Sequence, residues 1–407
     1  MLLFFKKPND RMANLRQLFL QHLAQTSATP LMLEIERAEG MYLYAPGGKA
    51  YLDLIAGIGV SCLGHRHPQV IEAITAQLGK YLHTLVYGEF VLAPQVRLAE
   101  LLARHLPDTL NSIFFVNSGA EATEGAMKLA KRHTGRYEVA ACKKAYHGST
   151  QGAASLMWPK DFTQAFHPLL PGIRHIEYNS EEGLQQITER TAAVIVETVQ
   201  GEWGIRPPAD GYLQKLRRRC TETGALLVLD EIQAGYGRTG ALFAFEQYGI
   251  TPDILLLAKG MGGGMPIGAF IASRDVMGSL SFDPVLGHIT TFGGHPVSCA
   301  AALATLETLL QSSLIQQVKA KEKLFLELLR HPAIVEVRSA GLWVAVELES
   351  FETVQAVIRH CLDAGLITDW FLFNERSLRI APPLIITEEQ IRWACGVILE
   401  GIEKYGS

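Results

Sequence analysis

The stretch PDILLLAKG, Pro252 to Gly260, is a short apolar run that stops on a lysine. It is too short for a core helix and is bounded by proline and glycine, so it predicts a strand buried on both faces. Lys259 then stands where that strand emerges. Similar runs lie on either side: SIFFVNSG (112–119), YEVAACKK (137–144), TAAVIVETVQGE (191–202), ALLVLDEIQ (225–233) and IGAFIAS (267–273). Helical spacing fills the intervals, in AEATEGAMKLAKRH (120–133) and in GYLQKLRRRCTETG (211–224), the latter closed by a glycine. The alternation predicts an α/β fold with a mostly parallel central sheet covered by helices.

Beyond His295 the pattern changes to two helices, PVSCAAALATLETLLQ and VKAKEKLFLELLRH, a strand, GLWVAVELE, and a last helix over 388–405. This predicts a smaller α+β C-terminal domain over 296–407, a large domain over 63–295, and an N-terminal segment, 1–62, packed with the small domain.

Bulk properties narrow the function. The chain has 407 residues, is 48% hydrophobic and 19% charged, and carries a net charge of −4. Its lysines and arginines are dispersed, which argues against nucleic acid and anionic lipid as partners. The start, MLLFFKKPND, is too short for a signal-peptide core and has its lysines on the wrong side. No apolar run approaches the roughly 18 residues of a membrane span. Six cysteines show no metal-ligand spacing, so the reading is a cytoplasmic enzyme with reduced thiols and no metal.

Ligands of open parallel sheets bind outside the carboxyl ends of the strands. There the sequence places Asn117-Ser118-Gly119, Tyr146-His147, Glu197 with Gln200 and Glu202, Asp230-Glu231 with Gln233, and Lys259. LLVLDE could end a magnesium-binding strand, but neither Gly48-Lys49 nor Gly79-Lys80 completes a phosphate loop. The glycines of GMGGGMPIG never satisfy the dinucleotide pattern. The remaining reading takes Lys259 as a Schiff-base amine, its pKa lowered by desolvation and neighbouring positive charge. Pyridoxal phosphate would need three further parts: an anion cradle, a carboxylate for its ring nitrogen and an aromatic face. Ser118, Gly119 and Ala120 open a helix and supply the first. Asp230 supplies the second, Tyr146 the third, and Gln233 can bond the ring's phenolic oxygen.

With these parts in place the chain resembles the class III pyridoxal-phosphate aminotransferases of fold type I, which include the ornithine, acetylornithine, 4-aminobutyrate and putrescine enzymes. The resemblance rests on NSGAEATEGAMKLAK, YHG, ETVQGEWG, LLVLDEIQAGYGRTG, LLAKGMGGGMPIGA, TTFGGHP and LRIAPPL, in family order over roughly residues 40 to 385. It implies that Lys259 links to the cofactor and then moves the substrate proton. By the same resemblance Asp230 pairs with the ring nitrogen, Ser118, Gly119 and Ala120 hold the phosphate, Tyr146 and Ile232 sandwich the ring, and Glu197 lies close by. It further implies a homodimer in which Thr291 reaches the partner's phosphate, and ping-pong transfer from an amine donor to a 2-oxo acid acceptor.

For the substrate, the resemblance implies a pair formed by Glu202 and Arg379 that opens for glutamate's carboxylate, with Ile58 and Tyr87 at the pocket mouth. One departure bears on the donor. Ornithine, acetylornithine and 4-aminobutyrate enzymes typically follow HG with an arginine that clamps the far carboxylate, whereas this chain has Ser149. A hydroxyl does not replace a bidentate cation. The phrase LLPGIRHI is similar to the putrescine enzymes. The expected activity is therefore transfer of a terminal amino group from a diamine or diamino acid to 2-oxoglutarate. The alternatives are an acetylornithine or ornithine aminotransferase, or a mutase or racemase of the same fold.

Overall fold

The computed structural model describes residues 14–406; the MLLFFKKPND start lies outside them. Seven strands form the central sheet: β1 (Ser112–Val116), β2 (Glu138–Cys142), β3 (Ile173–Ile176), β4 (Thr191–Glu197), β5 (Leu226–Asp230), β6 (Ile254–Leu257) and β7 (Gly268–Ala272). Their order is β1-β7-β6-β5-β4-β2-β3. β6, β5, β4, β2 and β3 pair in parallel, while β7 runs antiparallel to both β1 and β6. The sheet is thus mostly parallel, as the unbroken apolar runs predict.

Every residue of β2, β4, β6 and β7 is buried. Alternate side chains enter two different cores: Val194, Val196, Leu227 and Leu229 join one, Ala193, Ile195 and Val228 the other. Period-two alternation with both faces covered is what a central parallel strand requires. Helix α1 (Gly119–Thr134) follows β1; Ser118 caps it by accepting the Glu121 N–H at 3.2 Å, and Gly135, at φ 68°, ends it. Helix α2 (Tyr212–Thr223) ends at Gly224 in the left-handed region, as its terminal glycine predicts. β3 is the one strand of this sheet absent from the apolar runs. Its sequence, IRHI, is too polar and too short to stand out.

Two smaller sheets complete the fold. Strands Glu336–Ser339, Val344–Glu347, Asn374–Ile380 and Asp369–Phe371 form an antiparallel sheet in that order. Strands Arg37–Glu39, Tyr42–Tyr44 and Ala50–Asp53 form the other, which Leu366–Ile367 joins in parallel beside Ala50–Asp53. Helix α3 (Pro296–Gln311) and the closing helix α4 (Glu388–Tyr405) occupy their sequence-predicted spans. No single helix among the described residues is long and apolar enough to cross a membrane.

Candidate active site

The carboxyl ends of the parallel strands converge on a cavity of about 450 Å³. Ser118, Gly119, Ala120, Tyr146, Ser149, Glu197, Asp230, Ile232, Gln233 and Lys259 all line it. Register explains the gathering. Glu197 and Asp230 are paired across β4 and β5, Asp230 is paired with Leu256 of β6, and Lys259 follows two residues beyond β6. Lys259 has φ 45°, a conformation that non-glycine residues rarely adopt and that recurs where a side chain must be aimed.

The first turn of α1 presents the Gly119 and Ala120 N–H groups, which have no acceptor inside the helix. Gly119 is fixed by closeness: a Cβ there would lie 2.7 Å from Ile232 Cδ1. Gly148 is fixed twice over, by φ 125° and by Ala120, whose Cβ would lie 2.6 Å from an added one. Thus the glycine of YHG lets the Tyr146 loop lie against the helix N-terminus.

Charge is arranged on the cavity floor. Asp230 is buried; its Oδ2 is bonded to His147 Nδ1 at 2.7 Å and its Oδ1 accepts the Ile232 N–H at 2.9 Å. Burial works to lower the His147 pKa, but the bond and charge of Asp230, with Glu197, outweigh it and raise it, so the imidazole is the partner that holds the carboxylate. His147 Nε2 is buried without a partner. Glu197 accepts from the N–H groups of Tyr146 at 3.0 Å and Gly201 at 2.8 Å, and burial pushes its carboxyl up to about 7. Burial also brings the Lys259 amine down to about 8. The positive neighbour anticipated from the sequence is Arg379, whose effect is smaller than that of burial and is opposed by Glu202, Asp230 and Glu197.

A second cavity, of about 750 Å³, opens beside the first and shares Tyr146, Ser149 and Lys259 with it. Arg379 forks onto Glu202 here, Nη1 to Oε1 at 3.1 Å and Nη2 to Oε2 at 2.6 Å, with both side chains buried. Burial works to raise the Glu202 pKa, but the guanidinium overrides it and holds the carboxyl at about 2. Gln233 Nε2 donates to Glu202 Oε1 at 3.2 Å. Ser149 Oγ lies 2.9 Å from the Tyr146 hydroxyl, and Ile58 is on the wall. Tyr87 is not brought here within one chain; it lines a separate cleft with Thr290 and Gly293, and Thr291 is exposed beside it. Val199 of the inner cavity, and Asp369, Trp370, Met157, Phe162 and Phe166 of the outer one, were not anticipated. No spacing rule connects them to Lys259; only folding does.

The inner cavity fits pyridoxal phosphate. It combines helix N–H groups open to an anion, a buried carboxylate on the same cavity wall, apolar faces at Ile232 and Val199, and a buried amine of lowered pKa. Comparison with known proteins agrees. Residues 23–402 match the family model for aminotransferase class-III. The chain is 41% identical over 373 residues to the acetylornithine aminotransferase of Methanopyrus kandleri, covering 90% of this chain and 94% of that one. It is also 41% identical over 361 residues to the putrescine aminotransferase of Pectobacterium atrosepticum, covering 84% and 76%. Among solved structures, the ornithine aminotransferase of Toxoplasma gondii, with partial occupancy of PLP at its active site, superposes with a TM-score of 0.87 at 31% identity, over 95% of this chain and 93% of that one. The chain belongs to the class III aminotransferases, transferases of fold type I that depend on pyridoxal 5'-phosphate.

Proposed function

We propose that this enzyme transfers the terminal amino group of a diamine or diamino acid to 2-oxoglutarate, releasing an aldehyde and glutamate. The observation that carries the reading is the buried Glu202–Arg379 fork beside Lys259, next to a neutral Ser149. While Glu202 holds Arg379, the cavity is closed to carboxylates and admits an amine. When Glu202 lets go, the planar guanidinium is free for the carboxylate of a 2-oxo acid.

The remaining roles follow the chemistry each position allows. Ser118 and the N–H groups of Gly119 and Ala120 would hold the cofactor phosphate; Tyr146, Ile232 and Val199 would contact the ring; Gln233 would reach its oxygen. When bound, pyridoxal phosphate supplies an electron sink for the carbon being deprotonated. Asp230 would pair with the ring nitrogen and favour its protonated form, and His147 keeps Asp230 oriented. Lys259 would take up the proton from the substrate carbon and give it back, work for which a pKa near 8 suits it. Glu197 braces two loops, accepting one N–H from Tyr146 and one from Gly201.

We read the working unit as a homodimer. Phe282, Val285, Leu286, Ile289 and Phe292 are exposed around Thr291, an apolar patch that a partner subunit would cover. Thr291 and Tyr87 would then serve the partner's site. The six buried free cysteines favour the cytoplasm. The division into 1–62, 63–295 and 296–407 remains our reading of the chain; the pairing of Ala50–Asp53 with Leu366–Ile367 supports the first of these joining the last.

The test is a donor panel of ornithine, acetylornithine, lysine, 4-aminobutyrate, putrescine and cadaverine with 2-oxoglutarate, following glutamate release. The expected result is that diamines are turned over at least as well as the carboxylated donors. A preference for α-carboxylated donors by orders of magnitude would overturn the role given to Ser149, and absence of stoichiometric glutamate would overturn transamination itself.

A further inference from the structure

The outer cavity has apolar walls, among them Ile58, Met157, Phe162, Phe166 and Trp370. Two carboxylates enter it, Glu202 and Asp369. They differ in what they hold. Glu202 is engaged by the Arg379 fork. Asp369 accepts only the N–H of Trp370, at 2.7 Å on Oδ1; among the described residues no lysine or arginine nitrogen lies within 4.0 Å of it. Arg379 sits opposite Asp369 in the strand register, yet it turns its nitrogens to Glu202 and to the Trp370 carbonyl. Among the described residues the other cation on the wall is Lys259, which the cofactor would claim. With the Glu202–Arg379 pair closed, the cavity therefore keeps one carboxylate that no cation contacts, acted on by Arg379 only through space, and that favours a ligand that brings a positive charge.

We propose that Asp369 determines donor specificity: its unengaged carboxylate oxygen receives the second ammonium group of an unbranched aliphatic diamine whose first amine reacts at the Lys259 end of the same cavity. The methylene chain of such a donor lies along Met157, Phe162, Phe166 and Trp370, where it is removed from water. A donor that presents a carboxylate at that point meets like charge. Ser149 supplies no cation to offset it. Burial raises the Asp369 carboxyl pKa, which a bound ammonium would reverse. The inference rests on the donor reading of the preceding subsection and narrows it to a donor with a second ammonium and no carboxylate.

The holoenzyme and its Asp369→Asn variant are compared on cadaverine and on n-pentylamine, which has the same chain without the second ammonium, with 2-oxoglutarate as acceptor. A hydrogen bond to a charged group is worth about 1.5–3 kcal/mol, or roughly ten- to a hundred-fold in specificity. The wild type is expected to favour cadaverine. The substitution is expected to lower the cadaverine-to-pentylamine ratio of kcat/KM by about ten-fold or more, mainly through KM for cadaverine. Cofactor absorbance checks that the variant is loaded, and Asp369→Ala takes its place where it is not. An unchanged ratio, or an equal fall on both amines, in an enzyme that prefers cadaverine overturns the role of Asp369 alone. A wild type that prefers ornithine or acetylornithine to both amines overturns the donor reading, and Asp369 with it.

Discussion

The two cavities that meet at Lys259 are built in different ways. The inner one is set by strand register: Glu197, Asp230 and Lys259 follow neighbouring strands whose ends are fixed by a sheet buried on both faces. The outer one is assembled from pieces far apart in the chain, the loop around Met157 to Phe166, the strand Asp369–Phe371 and Arg379 of the strand beside it. Rigid strand ends hold reacting groups within tenths of an ångström, whereas loops and edges can vary without disturbing them. On the function proposed above, the chemistry belongs to the inner cavity and the choice of substrate to the outer one.

Lys259→Ala is the sharpest way to break that division. Among the described residues no other amine lines either cavity, so turnover should fall by about four orders of magnitude, the upper end of what a positioned acid–base group contributes. Glutamate release measures the loss, and cofactor absorbance after reconstitution shows whether the variant remains loaded. Substantial transamination by the variant would mean that the proton is moved from elsewhere, and the inner cavity would no longer account for the chemistry.

The same contrast explains what the sequence could show. β4, β5 and β6 are legible because a buried parallel strand must be apolar throughout, and the polar residue after each must then lie on the ligand-binding edge. Lys259, Asp230, Ser118 and Tyr146 could be placed together on that ground before any geometry was known. The pairing of His147 with Asp230 is less legible, because sequence shows a histidine at a strand end but not which carboxylate its ring meets. Asp369 is not legible at all. It stands in ITDWF, an edge-strand sequence of a different sheet, and reaches the cavity only because Asp369–Phe371 pairs with the strand that carries Arg379. Arg379 was foreseen through family resemblance, not through periodicity. Phe162 and Phe166 lie in a segment of short turns whose composition predicts no direction for their side chains.

Arg379→Gln probes the outer cavity with a smaller effect. It removes the fork that Glu202 holds and that a 2-oxo acid would use. Truncating one partner of a buried charge pair costs about 2–5 kcal/mol, equivalent to roughly 30- to several thousand-fold. The expected outcome is a fall of about two to three orders of magnitude in kcat/KM for 2-oxoglutarate, with the amine half-reaction, followed by cofactor absorbance in a single turnover, reduced far less. Equal losses in both half-reactions would show that Arg379 supports the shared floor, and the two cavities would not be separable.

The smallest effect distinguishes the cavities by pH. Glu202 in the outer cavity has its folded pKa lowered to about 2 from 4.5, so its contribution to stability is present above 4.5 and is lost as pH falls toward 2. Glu197 in the inner cavity has its folded pKa raised to about 7 from 4.5, so its ionisation opposes folding progressively as pH rises from 4.5 through 7. The two carboxylates thus pull the stability curve in opposite directions over different ranges. In denaturant titrations of the cofactor-free protein, Glu202→Gln should flatten the decline between pH 4.5 and 3 and leave the range from 5 to 7.5 as it is. Glu197→Gln should do the reverse. A Glu202→Gln variant that declines below pH 4.5 as steeply as the wild type would show that the Arg379 fork is not what depresses that carboxyl, and the outer cavity would then admit a carboxylate with the pair already open.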